Sequence, residues 1–321
     1  MKISGKRLTT KAGLHLHLDN NNGDELSHVK NRRETLNSLA LGDVQEANAG
    51  IYVDASLEIA PRWKINAGLL YDQFHFSYLN NLDNIFNQKA QDKVTLSPKL
   101  NLFFVASKTV RFYANSGIGS HSNDSRVVVA QEGHELLQKA YGIEFGTLLN
   151  PVPSLLINAY IWRMNLKHEF VYVGDAAEVE PSGRTKRKGI DLTVRWQIMR
   201  GLYAHADFNY TRPRSKEEPE GKNFIPLAPT LTTIGGLTAW AKNGLFSLRY
   251  RHIGDQPANE GNSTIAVGQL VVDAMLGLKK GNTKQLFPCK MQFRHRRWLT
   301  FQSAGRVKLR ILVFPFQQVL H

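Results

Sequence analysis

The sequence predicts an all-β chain, an antiparallel up-and-down transmembrane β-barrel with about twelve strands. Three observations lead there. Apolar and polar residues alternate with period 2 in many segments, most of these segments are 10 to 15 residues long, and the connections between them are alternately long and short. Period 2 places successive side chains on opposite faces of an extended chain. Strands of soluble proteins average about 5–6 residues, whereas a tilted strand that crosses a bilayer needs about 9–11.

The first expected strand, 8–18, carries His15 and His17 on one face. A polar stretch, 19–47, reads as a long loop. It leads into 48–59, where Ile51, Val53, Ala55, Leu57 and Ile59 oppose Tyr52, Asp54, Ser56 and Glu58. A short connection at 60–63, with Pro61, opens 64–76, and a long one at 77–93 opens 94–106. Residues 107–108 turn into 109–119, in which Val110, Phe112 and Ala114 oppose Arg111, Tyr113 and Asn115. The long connection 120–138 follows; QEGHELLQKA, starting at Gln131, has the spacing of a short helix. Strands 139–149 and 154–168 flank a turn at 150–153 that contains Asn150-Pro151.

After the long connection 169–186 comes 187–199, with Ile190, Leu192, Val194, Trp196 and Ile198 on one face and Asp191, Thr193, Arg195 and Gln197 on the other. Arg200-Gly201 turns the chain into 202–211, where Ala204, Ala206, Phe208 and Tyr210 oppose His205, Asp207, Asn209 and Thr211. The polar loop 212–225 leads to 226–241, and Asn243-Gly244 leads to 244–253, with Phe246, Leu248 and Tyr250 against Ser247, Arg249 and Arg251. A last long connection, 254–263, precedes 264–278. Tight turns at one end and long polar loops at the other are the habit of a membrane barrel, and a soluble sandwich has no reason to keep that rhythm.

The apolar faces are therefore expected to meet lipid and the polar faces a hydrated lumen. In hydrocarbon every backbone group must find a partner within the protein, which a barrel wall provides. Arg111, Tyr113, Asp191, Arg195, Asp207, Arg249 and Arg251 are the candidate lumen-lining residues. They could line a substrate path or form stabilising pairs across the lumen.

No run of 18 apolar residues is present to cross a membrane as a helix, and a mean hydropathy of −0.32 decides nothing, because half of each barrel strand faces water. The net charge of +14 is uneven: from Lys279 to His321 there are ten basic residues and no acid, leaving 31 basic against 27 acidic before them. The excess belongs to the end of the chain, so nucleic acid is not an expected partner. A single cysteine, Cys289, excludes an internal disulfide and a CxxC metal pattern. The opening MKISGKRLTT has a basic start with no apolar run behind it, unlike a signal peptide. An exported chain should have one, so the true beginning is expected upstream.

Several stretches resemble one family. ANSGIGSHSNDSR (114–126) resembles the G-x-G-x-H-S-N-D-x-R segment of TonB-dependent outer-membrane receptors. EFVYVGDAAEVEPSGRTKRKGID (169–191) is similar to that family's loop through Gly-Asp and Ser-Gly-x-Thr-x-Arg into Gly-Ile-Asp, and FIPLAPTLTTIGGL (224–237) to its I-P-L-A-P segment. NNGDELSHVKNRRETL and LGDVQEANAGIYVD are similar in layout to an earlier loop and strand, so the resemblance covers roughly residues 8 to 278. It implies a barrel of about 22 strands with a plugged lumen, of which this chain would be a C-terminal part, the plug being absent.

By the same resemblance the complete protein imports a scarce ligand, a ferric siderophore-type metal chelate in the first instance. Import is energised by TonB gripping the plug, in the outer membrane of a Gram-negative bacterium. Two other readings stand beside it: a complete small passive porin, and a soluble all-β carbohydrate-binding module. Residues 279–321 depart from the family. A frameshift near 279 would explain the acid-free composition, the lone cysteine and the missing aromatic ending; a genuine basic tail that meets anionic lipid or nucleic acid is the alternative.

No enzyme chemistry, cofactor or metal is expected. Gly117 and Gly119 follow a strand but open no helix, unlike a phosphate loop. DNNNGDE (19–25) has Asp24 where a calcium loop needs glycine, and Lys30 where it needs glutamate. His15 and His17 could hold a metal together, and isolated histidines on a wet face explain them equally well. No nucleophile sits in an elbow beside a base.

Overall fold

Alternation of this kind leaves the backbone one good option, antiparallel pairing with each neighbour in sequence, and the chain takes it. A computed structural model describes residues 2–3, 6–31, 33–82, 87–122, 137–167, 170–173, 178–181, 183–280, 283–294 and 300–303; no helix occurs among them. The strands are β1 (Lys2–Ile3), β2 (Lys6–Lys30), β3 (Glu34–Ala60), β4 (Trp63–Asn80), β5 (Asn87–Val105), β6 (Val110–Ser122), β7 (Leu137–Leu149), β8 (Leu155–Leu166), β9 (Phe170–Val173), β10 (Glu178–Pro181), β11 (Thr185–Met199), β12 (Leu202–Ser215), β13 (Leu231–Ala241), β14 (Gly244–Ile253), β15 (Gln256–Pro257), β16 (Ile265–Ala266), β17 (Gln269–Lys280), β18 (Thr283–Arg294) and β19 (Thr300–Ser303).

Fifteen of them form one sheet in sequence order, from β1 to β19; β9–β10 and β15–β16 are small hairpins set into long connections. Twelve of the fifteen correspond, in order, to the twelve expected, and β1, β18 and β19 are additional. The chain divides into two units.

Unit 1 comprises Met1–Phe104, Tyr113–Glu144 and Met164–Lys186. Its β2–β3 hairpin corrects an expectation: 19–47 is no loop. The 25 residues of β2 and 27 of β3 pair from Leu8↔Leu57 to Lys30↔Glu34. The chain reverses at Asn31, which takes a left-handed φ of 53°, with Arg33 N–H donating to the Lys30 carbonyl at 3.1 Å. Against the roughly 9–11 residues of a tilted bilayer crossing, such strands are about two and a half times as long, so much of the hairpin has water on both faces. A strand wetted on both sides has no need to alternate, which is why NNNGDE reads as loop. Register shifts between Asn21/Asp24, Leu26/Ser27 and His28/Val29 mark the same region. The expected loop 77–93 contracts likewise, as β4 runs on to Asn80 and β5 begins at Asn87. The proposed helix lies partly outside the described residues; Leu137 to Ala140 belong to β7.

Unit 2 comprises Val105–Phe112, Phe145–Arg163 and Arg187–His321. Its turns fall where they were expected. Ser107 Oγ accepts the Thr109 and Val110 N–H groups, each at 3.1 Å, to close the turn into β6. Gly201 has φ 86°, where a side chain is strained, and a Cβ there would lie 2.5 Å from the Trp240 carbonyl oxygen. Two strand starts were placed too early. Pro226 and Pro229 interrupt 226–230 and Leu227 takes φ 57°, so β13 begins only at Leu231. Ile265–Ala266 pairs with Gln256–Pro257 instead of opening β17. At the far end β17 pairs with β18 from Gln269↔Arg294 to Lys280↔Thr283, so the boundary expected at 278 lies inside a hairpin. The residues of the basic tail from 304 onward lie outside the described residues.

Both units carry one apolar and one polar face. In unit 1 Leu14, Leu16, Leu18, Ile51, Val53, Leu96 and Leu100 are exposed, and in unit 2 Ile190, Leu192, Trp196, Phe246, Leu248 and Leu276. Among the described residues only Phe76, Tyr78, Ile225 and Val271 are buried hydrophobics. An exposed apolar surface on this scale is incompatible with a water-soluble monomer and suited to lipid.

Candidate functional site

The polar face is where chemistry can occur. In unit 1, β2 to β5 bring their polar positions into two clusters. Lys99 Nζ lies 2.9 Å from Asp54. Asn66 donates to Asp54 at 2.8 Å and to Ser56 at 3.0 Å, and accepts from Asn101 at 2.8 Å. Nearer the long loops, His15 Nε2 lies 2.9 Å from Asp72 and 2.6 Å from the Asn48 side-chain oxygen. Asn48 and Asp72 are both buried. The histidine thus has organic partners, and His17 is not drawn into the cluster. Among the described residues no group of three His, Cys, Asp or Glu is placed to hold a metal.

In unit 2 the same logic continues on β11 to β17. Asp207 receives Arg195 at 2.9 Å and Thr193 Oγ1 at 2.9 Å. Asn209 donates to Asp191 and accepts from Thr211 at 2.8 Å. Arg251 meets Asp273 at 3.4 Å. These partners occupy neighbouring strands of the sheet, so the polar ladder runs along the wall. Adjacent strands can hold such pairs because an antiparallel neighbour places same-face side chains about 4.5–5.5 Å apart at Cβ.

Of the seven candidate residues, Asp191, Arg195 and Asp207 are therefore brought into one ladder. Arg249 and Arg251 sit two positions apart on β14, and Arg249 is exposed. Arg111 is exposed near the start of β6, where its carbonyl accepts Thr147 Oγ1 at 3.2 Å. Tyr113 belongs to unit 1 and is half-buried. Sequence reasoning missed Asp54, Asp72, Lys99 and Asp273. Their alternation was visible, as in Pro98-Lys99-Leu100-Asn101, but only the register shows which acid meets which base.

Beyond the face, at the wetted end of the β2–β3 hairpin, Glu25 accepts hydrogen bonds from Ser27 and, at 2.9 Å, from Ser38. These hydroxyls, Ser27 first, hold its carboxyl below the ordinary glutamate range. Gly23 N–H donates to Asp43 at 2.8 Å in the same region.

A sheet of long antiparallel strands with tight turns at one end, one lipid-suited face and one hydrogen-bonded polar face defines the wall of a transmembrane β-barrel. The chain belongs to the TonB-dependent receptor family: the family model described as TonB dependent receptor-like, beta-barrel, matches residues 5–293. That span includes most of β18. Among solved structures, the ferric citrate transporter FecA in its unliganded form is similar with a TM-score of 0.70 at 15% identity, covering 90% of this chain and 47% of that one. The ferric yersiniabactin uptake receptor FyuA from Yersinia pestis gives 0.67 at 13% identity, covering 91% and 47%. The ferric-catecholate import receptor Fiu from E. coli K12, in its closed form, gives 0.66 at 15%, covering 89% and 47%. The chain thus spans about half the length of the solved receptors it matches. Comparison with curated proteins found no match.

Proposed function

We propose that this chain is barrel wall from an outer-membrane active-transport receptor. The receptor imports a scarce metal chelate, of the ferric siderophore type, with energy delivered through TonB. The observation that carries this reading is the family match over residues 5–293. The family and the solved neighbours are transport receptors rather than enzymes. Those neighbours are named for ferric citrate, ferric yersiniabactin and ferric catecholate, and another is a copper transporter. A metal chelate is the ligand class common to the iron receptors among them, and contact with TonB would run through a plug domain of the kind the family carries.

In this reading the apolar face meets outer-membrane lipid, and Arg111, Tyr113, Asp191, Arg195, Asp207, Arg249 and Arg251 line the lumen. Their charges keep the passage wet, because ion pairs on adjacent strands stay hydrated on the side away from the wall. Neither a nucleic acid nor a catalytic group has a role.

The test is uptake of radiolabelled iron from a panel of ferric chelates by the native host under iron limitation, with and without the gene. Deletion should abolish uptake of at least one chelate, and inactivating TonB should do the same. Unchanged uptake of every chelate would overturn the ligand class; gene-dependent uptake that persists without TonB would point to a passive channel.

A further inference from the structure

On the polar face of unit 2, Arg249 has no counterion among the described residues. Register aligns His205 of β12, Gly236 of β13, Arg249 of β14 and Asp273 of β17 in a single row. The nearby acids are engaged: Asp273 with Arg251, Asp207 with Arg195 and Thr193, and Asp191 with Asn209. Arg249 makes no hydrogen bond or ion pair among the described residues. Between it and His205 lies Gly236, where a Cβ would stand 2.8 Å from His205 Cε1 and 3.0 Å from Arg249 Cγ. The imidazole and the arginine stem thus converge from two strands over one bare stretch of backbone. Any side chain there would push them apart.

We propose that this notch binds the carboxylate or phosphate group of a small anionic solute. Arg249 would supply the forked donor and His205 a second N–H, with Gly236 as the floor. A guanidinium matches a planar or tetrahedral oxyanion with two parallel hydrogen bonds, and an unpaired cation beside a low-dielectric wall attracts such a group more strongly than one in bulk water. By register Lys290 of β18 stands beyond Asp273 in the same row; the other charged or titratable groups near the notch are Tyr203, whose ring stacks on His205 with centroids 6.1 Å apart, and the engaged Asp207, Arg195, Asp191, Arg251 and Asp273. None of them offers a competing free acid. The inference rests on the reading that the polar face meets water.

The test uses the full chain refolded in detergent micelles and titrated with inorganic phosphate and, separately, malonate, following the imidazole Cε1–H resonances by NMR. One resonance, absent from His205→Gln, should move saturably, and the dissociation constant should rise about tenfold or more in Arg249→Gln, as for loss of a charged hydrogen bond. Arg249→Lys should recover part of the binding. Arg200→Gln, which removes an exposed arginine in a turn of the same unit, should bind like the parent. Movement that does not saturate, or an unchanged constant in Arg249→Gln, overturns the notch. So does equal weakening in Arg200→Gln, which would report bulk charge. Each variant is first scored for its heat-modifiable folded band, and Arg249→Lys serves where Arg249→Gln lacks it. In a Cys289→Ser background, a membrane-impermeant maleimide should label Arg249→Cys and spare Leu248→Cys in proteoliposomes. That pattern keeps the assignment of faces, so a failed titration then counts against the notch alone; the reverse pattern sinks both.

Discussion

Val194 and Thr193 are adjacent in β11 and face opposite ways, Thr193 donating to Asp207 at 2.9 Å on the polar side. Val194→Arg would set a charge against hydrocarbon and should cost roughly 2–4 kcal/mol if it lies near mid-bilayer. Thr193→Arg loses one hydrogen bond, worth about 1 kcal/mol, and gains the neighbouring carboxylate of Asp207, so it should be mild. Urea unfolding from liposomes measures both, and equal sensitivity would mean the faces are misassigned. Arg195 and Asp207 are each about one-third exposed, 35% and 36%. An ion pair this wet contributes about 0–1 kcal/mol, so Asp207→Asn should shift the same unfolding curve little. The polarity of these positions was legible in the sequence because period 2 is a local property. Their pairing was not. Asp273 lies 22 residues from Arg251, and the intervening loop and small hairpin, which alternation does not describe, set the register that joins them.

Among the elements, the β2–β3 hairpin separates what lipid dictates from what it does not. Its membrane part, with Leu14, Leu16 and Leu18 76–83% exposed, was legible, since hydrocarbon demands an unbroken apolar face. Its extension was not, since water on both sides accepts any polar residue. The Glu25 carboxylate sits in that extension, and its depressed titration gives a sign. The stability it contributes is present above the unfolded glutamate value, near 4.3, and is lost as pH falls through its lower folded value. Protection factors around Gly23 to Ser38, taken against the intrinsic exchange rate at each pH, should therefore fall on acidification, and Glu25→Gln should flatten that response; an identical profile in the variant would remove Glu25 from the account. At the opposite end, Gly201→Ala must hold an alanine at φ 86° with its Cβ 2.5 Å from the Trp240 oxygen. A cost of about 1–3 kcal/mol follows, read as a lower urea midpoint, while Arg200→Ala in the same turn should change little.

For the whole molecule the alternation of connections is the ordering device. Short turns at 61–62, 106–109, 150–154, 200–201 and 242–243 separate hairpins whose other connections are long or project far beyond the bilayer. Cysteines at Asn31 and Glu220 should react with an impermeant maleimide on intact cells, in a Cys289→Ser background, and cysteines at Arg62 and Lys242 only after permeabilisation. Labelling of one site from each set would break the up-and-down order. The order of the sheet strands between Lys6 and Lys280 was legible because each hairpin is local; the strand over Thr283–Arg294 was hidden, since KKGNTKQLFPCK shows neither clean alternation nor an acid to balance its lysines. Two-sidedness also constrains how such a chain can change over generations. A single-residue insertion in a crossing strand turns every side chain beyond it to the wrong solvent, so length variation there is tolerated only in steps of two. The connections accept any number, and descendants of this sequence should diverge in size at their loops while their spans keep count.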